Sequence, residues 1–196
     1  MPEATTPARR RPARERLLAA AARRFYADGI AATGIDTVTA EAGVAKMSLY
    51  NNFASKADLV QAYLEARHQE WLDLHAARVA VATSPQERVL AVFDAYLDHA
   101  ESAYEHGFRG CGLLNAAAEL PVGDPGRSTA HRHKQEVLGL VRTHLGELTS
   151  ARHANDLADH LFFLLEGSMA RAGLEGDPAP IVRARTLAGT LLATVP

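Results

Sequence analysis

Apolar residues recur along this chain every three to four positions and almost never every second one, the spacing of amphipathic helices rather than strands. Leu17, Leu18, Ala21, Ala22 and Phe25 form the stripe of a first helix expected over residues 13–28, which Gly29 ends as a C′ glycine would. Two short helices are expected over 35–42 and 46–52, separated by Gly43-Val44. A fourth starts after Ser55, an N-cap residue, and carries Leu59, Tyr63, Leu64, Trp71, Leu72 and Leu74 toward Val81. Ser84-Pro85-Gln86-Glu87 then joins a capping box to a proline at the first helical position. The helix it opens holds Val89, Leu90, Phe93, Tyr96 and Leu97 and reaches about Glu105. A shorter helix fits 111–120, and Asp124-Pro125 opens one to about Leu148. Ser150 starts the next, ending near Gly173 or Gly176, and Asp177-Pro178 opens the last. About nine helices and no convincing strand predict an all-α protein.

Composition narrows the class. At 196 residues the chain is long enough for a sizeable core, and 47% apolar with 22% charged residues is ordinary for a soluble protein. No apolar run approaches a membrane span, and Leu17–Ala22 is too short for a signal-peptide core. A single cysteine, Cys111, excludes an intrachain disulfide framework, so a cytoplasmic protein without membrane contact is expected. The net charge of −2 hides an asymmetry: residues 1–60 carry nine Lys and Arg against six acids, and the remainder is acidic. A basic head on an acidic body suits a molecule that offers one end to phosphates. Residues 1–12, with three prolines and Arg9, Arg10 and Arg11, read as a flexible basic arm.

Residues 33–59 are the most informative segment. A short helix, a glycine-bearing turn and a second short helix form the pattern of a helix-turn-helix, whose second helix projects a polar face into a major groove. Val38, Ala42, Val44, Leu49 and Phe53 are expected to form the core between these helices, with the ring of Tyr50 packed against it. Lys46, Ser48, Asn51 and Asn52 are left on the outer side, where Ser and Asn suit base edges and Lys suits phosphate or guanine. Lys56, at the start of the fourth helix, would add its charge to the positive end of the helix dipole.

Thr33, Val38, Ala42-Gly43-Val44, Ser48-Leu49-Tyr50, Phe53, Ser55-Lys56 and Asp58-Leu59 together resemble the DNA-binding domain of the TetR family of bacterial transcriptional regulators. The resemblance covers roughly Arg14 to Leu59, while the later two-thirds match only in helical layout. It implies a helix-turn-helix DNA-binding domain over 13–60 and a ligand-binding and dimerisation domain over 61–196. It also implies phosphate contacts by Tyr50 and Thr33, and a minor-groove role for Arg10 and Arg11 of the arm. Three departures stand out: Ala45 where a Ser or Thr cap is usual, Met47 where a small residue is usual, and Gly34 in place of a second hydroxyl residue. The function implied is a repressor that binds a palindromic double-stranded DNA operator as a homodimer and is released by a small-molecule effector. Pairing is expected through Leu157, Leu161, Leu164, Leu165 and Ser168 with Val182, Ala188, Leu191, Leu192 and Val195.

The effector is less legible. Cys111, Asn115 and Glu119 form one polar line at helical spacing, expected to face a pocket with Phe93, Tyr96, His133, Phe162, Phe163 and Glu166. The other reading makes Glu119 a surface carboxylate and Cys111 a small buried residue. His131 with His133, and His153, Asp156 and His160, have spacings open to metal, but none matches a structural zinc pattern, so no metal or cofactor is expected. The alternative function is a helical metal- or cysteine-dependent enzyme, or a redox sensor. Nothing resembles a nucleophile elbow, a phosphate loop or a paired-carboxylate site, so no enzyme is expected.

Overall fold

The computed structural model describes residues 12–101 and 107–195. Among these the chain is all-helical: α1 (Pro12–Asp28), α2 (Ile35–Glu41), α3 (Lys46–Tyr50), α4 (Lys56–Val81), α5 (Pro85–Ala100), α6 (Gly112–Glu119), α7 (Pro125–Leu145), α8 (Ala151–Glu175) and α9 (Ala179–Leu192). Local chemistry sets most starts. Ser55 accepts from the Asp58 N–H at 3.1 Å, and Asp58 returns a carboxylate oxygen to the Ala54 N–H. Ser84 accepts from the Glu87 N–H at 3.2 Å. Glu87 reaches back to the Thr83 N–H and hydroxyl, one residue further than a capping box would. Gly176 ends α8 at φ +68°, the left-handed conformation that glycine adopts without penalty. The expected extension of α5 to Glu105 falls on residues 102–106, outside those described. The α7 helix stops at Leu145, short of Leu148, because the chain turns at Gly146.

The head is α1 to α3 with the start of α4. Leu17, Ala21, Val38, Leu49, Phe53 and Leu59 are buried in its core, and Arg14 lays its guanidinium 4.9 Å over the Phe53 ring. Tyr50 corrects an expectation. It is 49% exposed, because α3 ends at that residue and Phe53, three positions on, takes the inward place. Behind the head α4 packs on α5 and α7, α5 on α9, α7 on α8, and α8 on α9. Since α4 runs through residue 60, head and body share one uninterrupted helix.

The expected pairing stripe is corrected in part, for of its members Val182 and Leu191 do face outward. Leu157, Leu161, Leu165, Ser168, Ala188 and Leu192 are buried within the chain, because their side of α8 and α9 meets the neighbouring helices. Apolar side chains that do face outward on these helices are Phe163, Leu174, Val182, Leu187 and Leu191. Among the described residues no helix is long and apolar enough to cross a membrane.

Ala45 stands at the N-cap of α3 with no side-chain hydrogen bond. Ala45→Ser should therefore stabilise the protein by about 0.5–1 kcal/mol, read as a higher urea midpoint at unchanged slope. No change in midpoint would mean that the first turn of α3 is already satisfied by water.

Candidate nucleic-acid interface and the core behind it

On the outer surface of the head, α3 presents Lys46, Met47, Ser48, Tyr50 and Asn51. Met47 is 69% exposed and Ser48 half-buried. Lys46 Nζ lies 2.8 Å from Asp36 Oδ1 of α2, so an exposed carboxylate partly neutralises the cation on this face and raises its pKa. Asn52 turns away, its Nδ2 donating to the Ser48 carbonyl at 2.7 Å, which satisfies one of the orphan carbonyls of α3. Glu41 accepts from Arg23 Nε and Arg24 Nε, both at 2.6 Å, and these two arginines hold its carboxyl below the usual range. They brace α1 on α2. Arg10 and Arg11 lie outside the described residues.

Two further expected contacts turn inward. Thr33 is buried, and its hydroxyl donates to the Gly29 carbonyl at 2.7 Å. Lys56 Nζ donates to the Ile30 carbonyl at 2.6 Å. Both side chains are committed to the turn that leaves α1.

That turn is also where the body grips the head. Glu119, at the end of α6, accepts from the N–H of Ile30 at 3.1 Å and of Ala31 at 2.7 Å. Gly29 makes the fit possible: its φ is +92°, and a Cβ there would lie 2.8 Å from Glu119 Oε1. The Arg109 guanidinium donates to the Tyr26 and Ala27 carbonyls, the orphan acceptors at the end of α1. The Tyr26 hydroxyl accepts from the Arg109 N–H at 2.6 Å and donates to the Gly110 carbonyl at 3.1 Å. Asn115 donates to the Arg109 carbonyl at 2.8 Å. On the other side Gly173 of α8 packs so tightly on Arg109 and Gly110 that a Cβ would meet the Arg109 backbone at 2.8 Å. Beside the joint lies an open, largely apolar groove of about 480 Å³, lined by Ile30, Lys56, Val60, Gln61, Leu120 and Gly126 among others.

Deeper in the body, the expected pocket residues divide. Tyr96, Cys111 and His133 line one small cavity with Arg67, Trp71, His99, Gly112 and Leu113. Phe93 is wholly buried in the core, Phe162 packs half-buried against it, and Phe163 is 73% exposed on the outside of α8. Asn115 and Glu119 serve the joint instead. Glu166 pairs with buried Lys134 at 2.8 Å. Lys134 belongs to a chain of hydrogen bonds that only one proton arrangement satisfies. Lys134 Nζ donates to the Tyr96 hydroxyl at 3.0 Å, which leaves that hydroxyl to donate to His133 Nε2 at 3.2 Å. His133 then donates from Nδ1 to His68 Nδ1 at 3.0 Å, and His68 from Nε2 to Glu136 at 3.3 Å. His133 is neutral in this arrangement. Among the described residues no group of three His, Cys, Asp or Glu is placed to hold a metal ion, and His153, Asp156 and His160 are exposed surface residues.

A compact helix-turn-helix head, joined by a continuous helix to a larger helical body, defines the class of helical DNA-binding regulators. Residues 17–63 match the model of bacterial regulatory proteins of the tetR family, and residues 85–188 match that of the tetracyclin repressor-like C-terminal domain. A TetR-family transcriptional regulator from Streptomyces coelicolor is 34% identical over 94% of this chain and 96% of its own, with a TM-score of 0.84. A TetR transcriptional regulator from Chloroflexus aurantiacus is 25% identical over 93% and 94%, with a TM-score of 0.80. Regulatory protein TetR from Rhodobacter sphaeroides is 25% identical over 92% and 98%, with a TM-score of 0.76. The chain belongs to the TetR family of transcriptional regulators. No curated protein matches it.

Two tests follow from this geometry. Glu119→Ala leaves the Ile30 and Ala31 N–H groups without their acceptor and should destabilise the fold by about 1–3 kcal/mol, measured by urea unfolding. An unchanged midpoint would mean that water replaces the carboxylate. The buried histidines set an acid limit. Burial first, then His144, pushes His75 down to about 4; burial, then Arg67, does the same to His99; burial, then Lys134, takes His133 to about 3. The ordinary value is 6.5, so below it the unfolded chain binds protons that the native core refuses. Their contribution is complete above pH 6.5 and declines as the pH falls toward 4. The urea midpoint should already drop between pH 6.5 and 4.5, before carboxylates titrate. A flat profile across that interval would contradict neutral buried imidazoles.

Proposed function

We propose that the protein is a dimeric repressor that reads a palindromic DNA operator through α3 and is released when a small molecule binds the body. The observation that carries this reading is the outer face of α3, where Lys46, Ser48, Tyr50 and Asn51 project from a helix-turn-helix of the family's type. Lys46, Ser48 and Asn51 read base edges or nearby phosphates, Tyr50 meets a phosphate, and Met47 lies against thymine methyl groups. Asn52, Thr33 and Lys56 contribute by bracing, each bonded to a backbone carbonyl of the head. The DNA-binding unit spans 13–60 and the effector-binding and pairing unit 61–196, with Arg10 and Arg11 following the minor groove. Regulation, not catalysis, is the chain's role.

Pairing of two chains supplies the second half-site, and the outward apolar residues of α8 and α9 support that surface. Release needs an effector that binds the two conformations of the body unequally. The Glu119 and Arg109 contacts give such a change a route to the head.

A gel shift against operators selected from random palindromes tests the reading. Tyr50→Phe should weaken every sequence about equally, whereas Asn51→Ala and Lys46→Ala should also alter sequence preference. Asp36→Asn, which frees Lys46, should tighten binding and steepen its salt dependence by about one charge. Absence of any salt-dependent, sequence-selective binding would sink the proposal. For the pairing surface, Phe163→Glu together with Leu187→Glu should give a monomer by light scattering and abolish operator binding. A double variant that stays dimeric would move the interface elsewhere.

A further inference from the structure

The small cavity in the body holds about 10 Å³, room for roughly one water. Arg67 and Trp71, one turn apart on α4, form one wall, and Tyr96 and His99 of α5 with His133 of α7 form others. The start of α6, Cys111 to Leu113, closes it. Trp71 is 3% exposed, yet its indole N–H has no hydrogen-bond partner, and neither has the buried Nε of Arg67. Unpaired buried donors are rare in folded proteins and call for an account. The α6 helix begins without a side-chain cap at Cys111, so the positive end of its dipole also borders the cavity. Among the described residues no carboxylate lines this space: Glu70 sits on Arg67 Nη1, Glu166 on Lys134 and Glu136 on His68. The unpaired Trp71 N–H, the Arg67 guanidinium with its unpaired Nε and a bare helix N-terminus thus line a space too small for an effector but large enough for one oxygen.

We propose that this cavity anchors the effector, and that the effector is a small organic anion, a carboxylate on an aromatic or apolar body. The carboxylate accepts from the Trp71 indole and the Arg67 guanidinium and lies against the start of α6. Its body, for which the cavity has no room, pushes the start of α6 away from α4. Glu119 is the last residue of that same eight-residue helix and holds the turn that leaves α1. Displacement at one end of α6 is therefore felt by the head. The regulatory consequence rests on the repressor reading, whereas the anion site itself does not.

Trp71 is the sole tryptophan, so its emission reports the cavity directly in the full chain without DNA. The probes are benzoate, phenylacetate and salicylate, set against benzyl alcohol, benzamide and benzylamine. At least one acid should change Trp71 emission saturably and raise the melting temperature, while the neutral and cationic analogues do neither. Arg67→Met should weaken that acid at least about tenfold and Arg67→Lys less. Trp71→Phe keeps the packing but removes the N–H, and by calorimetry it should also bind more weakly, which covers the case of an unstable Arg67 variant. The proposal is overturned if no acid saturates, if a neutral or cationic analogue binds as tightly, or if neither substitution weakens the acid. A second arm adds the bound acid to the operator complex. Release of DNA supports both readings. An acid that binds the cavity without releasing operator leaves the anion site standing and removes the release mechanism.

Discussion

The end of α1 is the constraint on which the arrangement of head and body depends. A helix terminus leaves carbonyls without partners, and the turn after it leaves N–H groups in the same state. Here the carbonyls of Tyr26 and Ala27 are taken by Arg109, that of Gly29 by Thr33, and that of Ile30 by Lys56. The N–H groups of Ile30 and Ala31 are taken by Glu119. Thr33 and Lys56 of the head are spent at this turn, and so are Glu119 and Arg109 of the body. The head is thus held by directional bonds that tolerate little drift, while its own small core needs only Leu49, Phe53 and their neighbours.

The body solves a different problem. It buries Lys134, His133 and His68 among leucines, and groups of this kind are tolerated inside only when each lone pair and proton is used. The chain from Lys134 through Tyr96, His133 and His68 to Glu136 meets that condition in one proton order. It also defines where the condition fails. Trp71 and Arg67 sit beside the chain with donors left over, and both line the small cavity.

How far the sequence anticipated this depends on how local each cause is. Ser55, Ser84 and Ser150 start their helices as expected, because a cap acts within three residues. The head core was legible for the same reason. The polar line Cys111, Asn115 and Glu119 was read as one face, but its three members have three destinations: the cavity, a loop carbonyl and the α1 turn. The partner of Glu119 lies 89 positions away, beyond what periodicity can address. Phe163 was misplaced since it sits between half-buried neighbours on α8, and only the packing of the helices decides which side faces out. Trp71 was read only as part of the α4 stripe and Arg67 was not singled out, since nothing in their spacing says that their N–H groups lack acceptors.

The unbroken α4 has a mechanical meaning. Its 26 residues make a rod of about 39 Å that begins inside the head and ends far along the body. With no proline within Lys56–Val81 to absorb bending, the helix transmits angle rather than losing it. A tilt of only about 5° at one end carries the other through about 3.4 Å, one base step along a DNA strand. For such a lever the quantity that matters is rotation, since a small angle at one end becomes a full step of displacement at the other.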